Sequence, residues 1–70
     1  MKANLLRAEI AKKNLSVSEF LEKISMPKST WSKRMRGVNC FNQNEIQNII
    51  NVLKLTDGQV MAIFFNAKVS

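Results

Sequence analysis

The sequence predicts an all-α domain of five short helices. Three observations predict it. Apolar residues recur at i, i+3, i+4 and i+7 in successive segments, the period of a helix with one buried face. Three of those segments follow a Ser, Asn or Thr with Glu or Gln three positions later, the pattern of a capping box. No segment alternates polar and apolar residues for long enough to make a strand.

The first helix is expected over about Ala3–Lys13, with Leu6 and Ile10 one turn apart, Leu5 beside them, and Asn14-Leu15 ending it. Ser16 reads as the N-cap of the second, and Glu19 completes its box. Val17, Phe20, Leu21 and Ile24 make its apolar face, and Ser25-Met26 stops it. Pro27 suits the first turn of a third helix, where its missing N–H goes unused, and Gly37 suits the end, where a left-handed residue is wanted. Asn42 with Glu45 opens the fourth, striped by Ile46, Ile49, Ile50 and Leu53. Thr56 with Gln59 opens the fifth, which carries Val60, Met61, Phe64 and Phe65 before Asn66 closes it. The connections are short, so neighbouring helices should pack into one domain spanning 1–70.

A chain of 70 residues is only marginally able to stabilise itself, which favours a docking surface over a pocket hollowed from the core. Its 46% hydrophobic content still argues for a folded domain. Eleven Lys and Arg against five Asp and Glu leave +6, and the excess is concentrated. No acidic residue lies between Lys23 and Asn44, where Lys23, Lys28, Lys33, Arg34 and Arg36 fall. Such a segment attracts a polyanion, either nucleic acid or an anionic membrane. With no His and a single cysteine, Cys40, the chain has no Cys/His zinc site, Ser-His-Asp or Cys-His nucleophilic pair, or internal disulfide. No enzyme, cofactor or metal is therefore expected, and Cys40 is expected as a small apolar filler. The start, Met1-Lys2-Ala3-Asn4, leads into a charged amphipathic segment instead of a signal peptide's apolar run. No stretch approaches the roughly 20 apolar residues that span a bilayer. A cytoplasmic location, at the nucleoid through DNA, and no membrane partner are expected.

The second and third helices are separated by about three residues, the spacing of a helix-turn-helix unit over about 16–37. At about 100° per residue, Lys28, Ser29, Ser32, Lys33 and Arg36 of the third helix fall within one arc, all of them donors. Trp31 and Met35 point away from it, toward Phe20, Ile24 and Phe41, while Thr30 and Arg34 take the remaining flank. Lys and Arg donate to guanine O6 and N7 or neutralise phosphates, and small serines let a helix approach the groove floor.

The run from Leu15-Ser16 through Phe20-Leu21, Ile24, Pro27, Ser29 and Trp31 to Gly37 resembles the Cro/lambda-repressor-like helix-turn-helix family. The tail, with Phe41, Glu45-Ile46, Ile49-Ile50, Leu53, Leu55 and Ile63-Phe64-Phe65, is similar to its short phage-type branch, so the resemblance runs from Leu5 to Phe65. It implies a compact five-helix lambda-repressor-like domain and a Cro-like or repressor-type transcription regulator, acting as a homodimer on a palindromic operator in double-stranded DNA. Carried onto this chain, Lys28, Ser29, Ser32 and Lys33 would read bases. Ser16 and Ser18 would touch the backbone with the helix dipole behind them, and Arg34, Arg36 and Asn39 would follow the phosphates. The chain departs from the family's usual pattern at Val17, Leu21, Ser25 and Arg34; Met35 is expected to take over the packing at the last. The segment Ile63–Val69 is the apolar stretch outside the expected core. Phe64 and Phe65 point about 100° apart, so one of them, with Val69, is expected to be exposed and to meet a second subunit. The rival reading is a small modulator that binds a repressor or toxin partner, with the same fold as scaffold.

Overall fold

The computed structural model describes residues 2–65, which fold into α1 (Ala3–Lys12), α2 (Val17–Ile24), α3 (Lys28–Met35), α4 (Gln43–Leu53) and α5 (Asp57–Phe64). No strand occurs among the described residues. All three expected capping boxes form, at Ser16 with Glu19, Asn42 with Glu45 and Thr56 with Gln59. In each, the cap side chain accepts the amide three residues on while the Glu or Gln accepts the cap's own amide. Two amides that a helix start would leave unpaired are thereby satisfied at once.

Four of the five helix ends are built alike. Asn14 (φ 60°), Ser25 (φ 55°), Gly37 (φ 82°) and Lys54 (φ 54°) each reverse the chain through the left-handed region. The next amide then donates back to the last turn: Leu15 to Ile10 at 3.3 Å, Met26 to Leu21 at 3.0 Å, Val38 to Lys33 at 3.0 Å and Leu55 to Ile50 at 3.2 Å. This is the Schellman arrangement, in which the residue after the reversal commonly packs back on the helix. Met26 and Leu55 do so and are buried, and Leu15 is half-buried. Val38 does not, and is 61% exposed.

The core gathers Leu6 and Ile10 of α1, Phe20, Leu21 and Ile24 of α2, Trp31 of α3, Ile49 and Leu53 of α4 and Ile63 of α5, with Met26 and Leu55 from the connections. Contacts run mainly between α2 and α4, α1 and α5, and α2 and α3. The Lys2 amide donates to the Ile63 carbonyl at 2.8 Å, and Gln59 Nε2 donates to Glu9 Oε2 at 3.3 Å, fastening α5 to α1. A radius of gyration of 11.5 Å is close to the roughly 11 Å of a compact chain of this length.

Four expectations are corrected. Ile63, set aside for a subunit contact, is in the core at 2% exposure, while Met61 is exposed. The inner stripe of α5 is therefore Val60, Ile63 and Phe64, and the residues one step on, Met61 and Phe65, face outward. Val17 is exposed because it occupies the first position of α2, before the helix meets its neighbours. Cys40 lies exposed in the connection between α3 and α4 and fills no space in the core. Asn66 and Val69 lie outside the described residues. No helix among the described residues is long and apolar enough to cross a membrane.

Candidate nucleic-acid interface

The approach to α3 is a three-step turn. Ser25 reverses the chain, Met26 plugs into the core, and Pro27, extended at φ −68° and ψ 150°, aims the backbone into the new helix. Proline's restriction of its predecessor keeps Met26 from continuing α2. The indole of Trp31, 7% exposed, fixes the inner side of α3, edge-on to Phe20 at 5.6 Å and to Phe41 at 6.0 Å. Met35, one turn later, packs half-buried against the same core.

With Trp31 held inward, the opposite side of α3 is open. Lys28, Ser29, Ser32, Lys33 and Arg36 are all exposed, whereas Thr30, Arg34 and Met35 on the two flanks are half-buried. The arc of donors expected from the helical period is thus the arc that the fold leaves to solvent. Ser18 lies next to its near end, since Ser18, Ser25, Pro27 and Lys28 line one shallow depression, together with Glu22. Asn39 lies at its far end, lining a groove with Arg36.

Among the described residues most lysines near a helix end sit at a C-terminus, and the exceptions are Lys2, at the uncapped start of α1, and Lys28 in α3. Lys12, Lys13, Lys23 and Lys54 all sit at helix C-termini, where a cation interacts favourably with the dipole. Lys28 is at the first position of α3, where its charge opposes the dipole, in a first turn with no acidic residue and no side-chain cap. Local helix energetics do not account for a lysine there.

Two of the expected backbone contacts are modified by the structure. Ser16 Oγ accepts the Glu19 amide at 3.1 Å, and Glu19 Oε1 accepts the Ser16 amide at 2.9 Å. Ser16 is therefore committed as a cap, with a carboxylate beside it, and only its hydroxyl proton is left to donate outward. Arg34 is engaged more fully. Its Nε and Nη2 donate to Glu45 Oε1 at 2.9 Å and Oε2 at 3.0 Å, so in the free protein the guanidinium is held against α4. The physical reason is position: Arg34 lies on the flank of α3 that faces the start of α4, with both side chains less than a fifth exposed. The Arg34 guanidinium, donating to it, holds the Glu45 carboxyl below its ordinary value, and Glu45 in turn raises Arg34 above its own. Arg34 was legible as a cation, but Glu45 carried only its capping signal, and nothing in the spacing joined the two.

The expected subunit contact is divided. Phe64 is half-buried and meets Phe41 edge-on at 5.7 Å, whereas Phe65 is 50% exposed. Phe65 stands at the lip of an open groove of about 530 Å³ whose apolar lining includes Met35, Phe41, Ile46 and Phe64. This groove, which periodicity did not reveal, borders the C-terminal end of α3 through Arg36 and Gly37. Comparison of the chain with protein-family models, with curated proteins and with solved structures gives no match, so its own geometry carries the functional reading.

Proposed function

We propose that the chain is a sequence-specific double-stranded DNA-binding protein in which α2, the 25–27 turn and α3 act as a helix-turn-helix, serving as a transcription regulator of the Cro or repressor type. The observation that carries the reading is the coincidence on α3 of a row of exposed donors with an opposite side anchored by a buried tryptophan. The row is basic, has serines where a close approach is needed, and includes a lysine that the helix itself disfavours. Lys28, Ser29, Ser32 and Lys33 face the base edges in this reading, and Ser18, Arg36 and Asn39 meet the backbone around them. One helix of eight residues touches few base pairs, so a second copy is needed to select a site, and a palindromic operator follows. The exposed Phe65 and the groove beside it are the proposed contact between the two copies.

The test is enrichment of bound duplexes from a random pool, followed by titration of the enriched site and of random DNA across a range of salt. Lys33→Ala and Ser32→Ala should each weaken the enriched site by about 1–3 kcal/mol and leave random DNA less affected. Arg36→Ala should weaken both to a similar extent and flatten the salt slope by about one. Failure to enrich any sequence would count against base reading and favour the protein-binding reading of the same groove, in which a repressor or toxin covers Phe65.

A further inference from the structure

We propose that Arg34 and Glu45 form a positioning pair that sets the roll of α3 about its own axis and so determines how selectively its donor row reads bases. The inference rests on the DNA-binding reading given above, and adds residues that touch no DNA.

Glu45 is used three ways in one place. Its Oε1 accepts the Asn42 amide at 2.9 Å, closing the capping box of α4, and also accepts Arg34 Nε at 2.9 Å. Its Oε2 accepts Arg34 Nη2 at 3.0 Å. A two-pronged guanidinium–carboxylate contact fixes an orientation as well as a distance, which a single ammonium contact does not. The carboxylate is itself immobilised by the cap, so the fork ties the last turn of α3 to the fixed start of α4. Without it, those two points are joined covalently only through the 36–42 connection, in which Arg36, Gly37, Val38, Asn39 and Cys40 are all exposed.

Arg34 comes three residues after Trp31, about 60° round the helix, so the fork grips the flank beside the buried indole. The indole fixes the inner side of the helix, and the directed fork at its edge adds resistance to rotation about the axis. Rotation is what base reading would feel. On a helix about 10–12 Å wide, a roll of roughly 20° moves a side-chain tip by about 2 Å. That shift exceeds the few tenths of an ångström over which a hydrogen bond keeps its strength. Contacts to phosphates on random DNA are made by long flexible cations and tolerate such a shift. The pair is only partly shielded, so its contribution to global stability is small beside its effect on direction.

Glu45→Gln separates this from plain electrostatics, because the two predict opposite signs. Removing a negative charge raises the positive charge of the protein and should strengthen binding to any DNA, while glutamine still completes a capping box. Positioning predicts instead that the enriched site is bound more weakly and random DNA equally or more strongly. Binding would be measured on the site enriched by the parent and on a scrambled duplex, with thermal melting alongside. The expected result is a loss of about tenfold in the ratio of specific to random affinity for Glu45→Gln and for Arg34→Lys, with both proteins still folded at the assay temperature. Arg34→Lys keeps the charge and removes the fork, so it stands on its own should Glu45→Gln melt too low. A parallel rise on both duplexes for Glu45→Gln, or an unchanged ratio in Arg34→Lys, would overturn the proposal, whereas a parent that enriches no sequence would overturn the DNA reading beneath it.

Discussion

The indole of Trp31 stands between Phe20 and Phe41, and Phe41 in turn meets Phe64, so four edge-on aromatics join α2, α3, the 36–42 connection and α5. Removing the indole would leave a void at the junction of these elements. Trp31→Ala should cost roughly 3–5 kcal/mol, against a total of about 5–15 kcal/mol for an ordinary domain. Urea denaturation checks it; a variant that melts like the parent yet no longer binds DNA would make the indole a surface contact. Lys28 gives the opposite kind of expectation. Lys28→Glu replaces a charge that opposes the α3 dipole with one that complements it, and should stabilise the protein by about 0.3–1 kcal/mol. The same substitution should abolish binding to the enriched site, because the new carboxylate faces phosphates. A Lys28→Glu protein that is less stable than the parent would show that the lysine has a structural role. Both residues were legible from the helical wheel, one inward and one outward. Arg34 was not, because its partner lies on another helix and a single sequence gives no sign of which cation meets which carboxylate.

Four helix ends reverse through left-handed residues, and only one of these is glycine. At Asn14 the residue type is one that adopts the conformation more readily than most, but Ser25 and Lys54 are held there against the preference of their β-carbons. What holds them is the apolar residue that follows, Met26 or Leu55, buried against the helix just ended. Ser25→Gly and Lys54→Gly should therefore each stabilise the domain by several tenths to about 1 kcal/mol, with the gain set by relief of strain minus the entropy of a freer unfolded chain. Parallel denaturation curves shifted to lower urea would mean that the unfolded-state term dominates. These ends also show why element starts were easier to read than element stops. Three of the five starts have a two-residue polar signature, Ser16 with Glu19, Asn42 with Glu45 and Thr56 with Gln59, and all three are used as written. The stops at Ser25 and Lys54 depend on a backbone reversal that Ser and Lys adopt only under tertiary constraint. Met26 and Leu55 consequently join the core although they lie outside every helical stripe. In α5, adjacent apolar residues left the inner face undetermined, and packing on α1 chose Ile63 over Met61.

At the scale of the whole molecule, the proposed reading needs two copies of α3 about 34 Å apart on one side of the duplex, each entering a major groove. The surface that joins them must leave the donor row free and must bring the two reading helices to that spacing. Phe65 meets the first condition at the four base-reading positions, Lys28, Ser29, Ser32 and Lys33, none of which lines the groove beside it. It stands exposed at the C-terminal cap of α5 and borders an apolar groove whose lining includes Phe41 and Phe64. A knob and a hollow on one patch are what a two-fold contact requires, because each copy then offers both to the other. Arg36 lines the same groove, so pairing brings two like charges toward the axis, a cost in free solution that phosphates would relieve. The expected outcome is a weak dimer off DNA that tightens on it. Sedimentation of the free protein should show a monomer–dimer equilibrium in the micromolar range that weakens as salt is lowered. Phe65→Ser should shift that equilibrium to monomer without lowering the melting temperature, since Phe65 contributes little to the core. On a palindrome, the parent should bind two copies cooperatively and Phe65→Ser should bind them independently. If the parent stays monomeric at high micromolar concentration in all salt conditions and still fills a palindrome two at a time, no preformed dimer exists. If Phe65→Ser keeps full cooperativity, the contact between copies lies elsewhere on the chain.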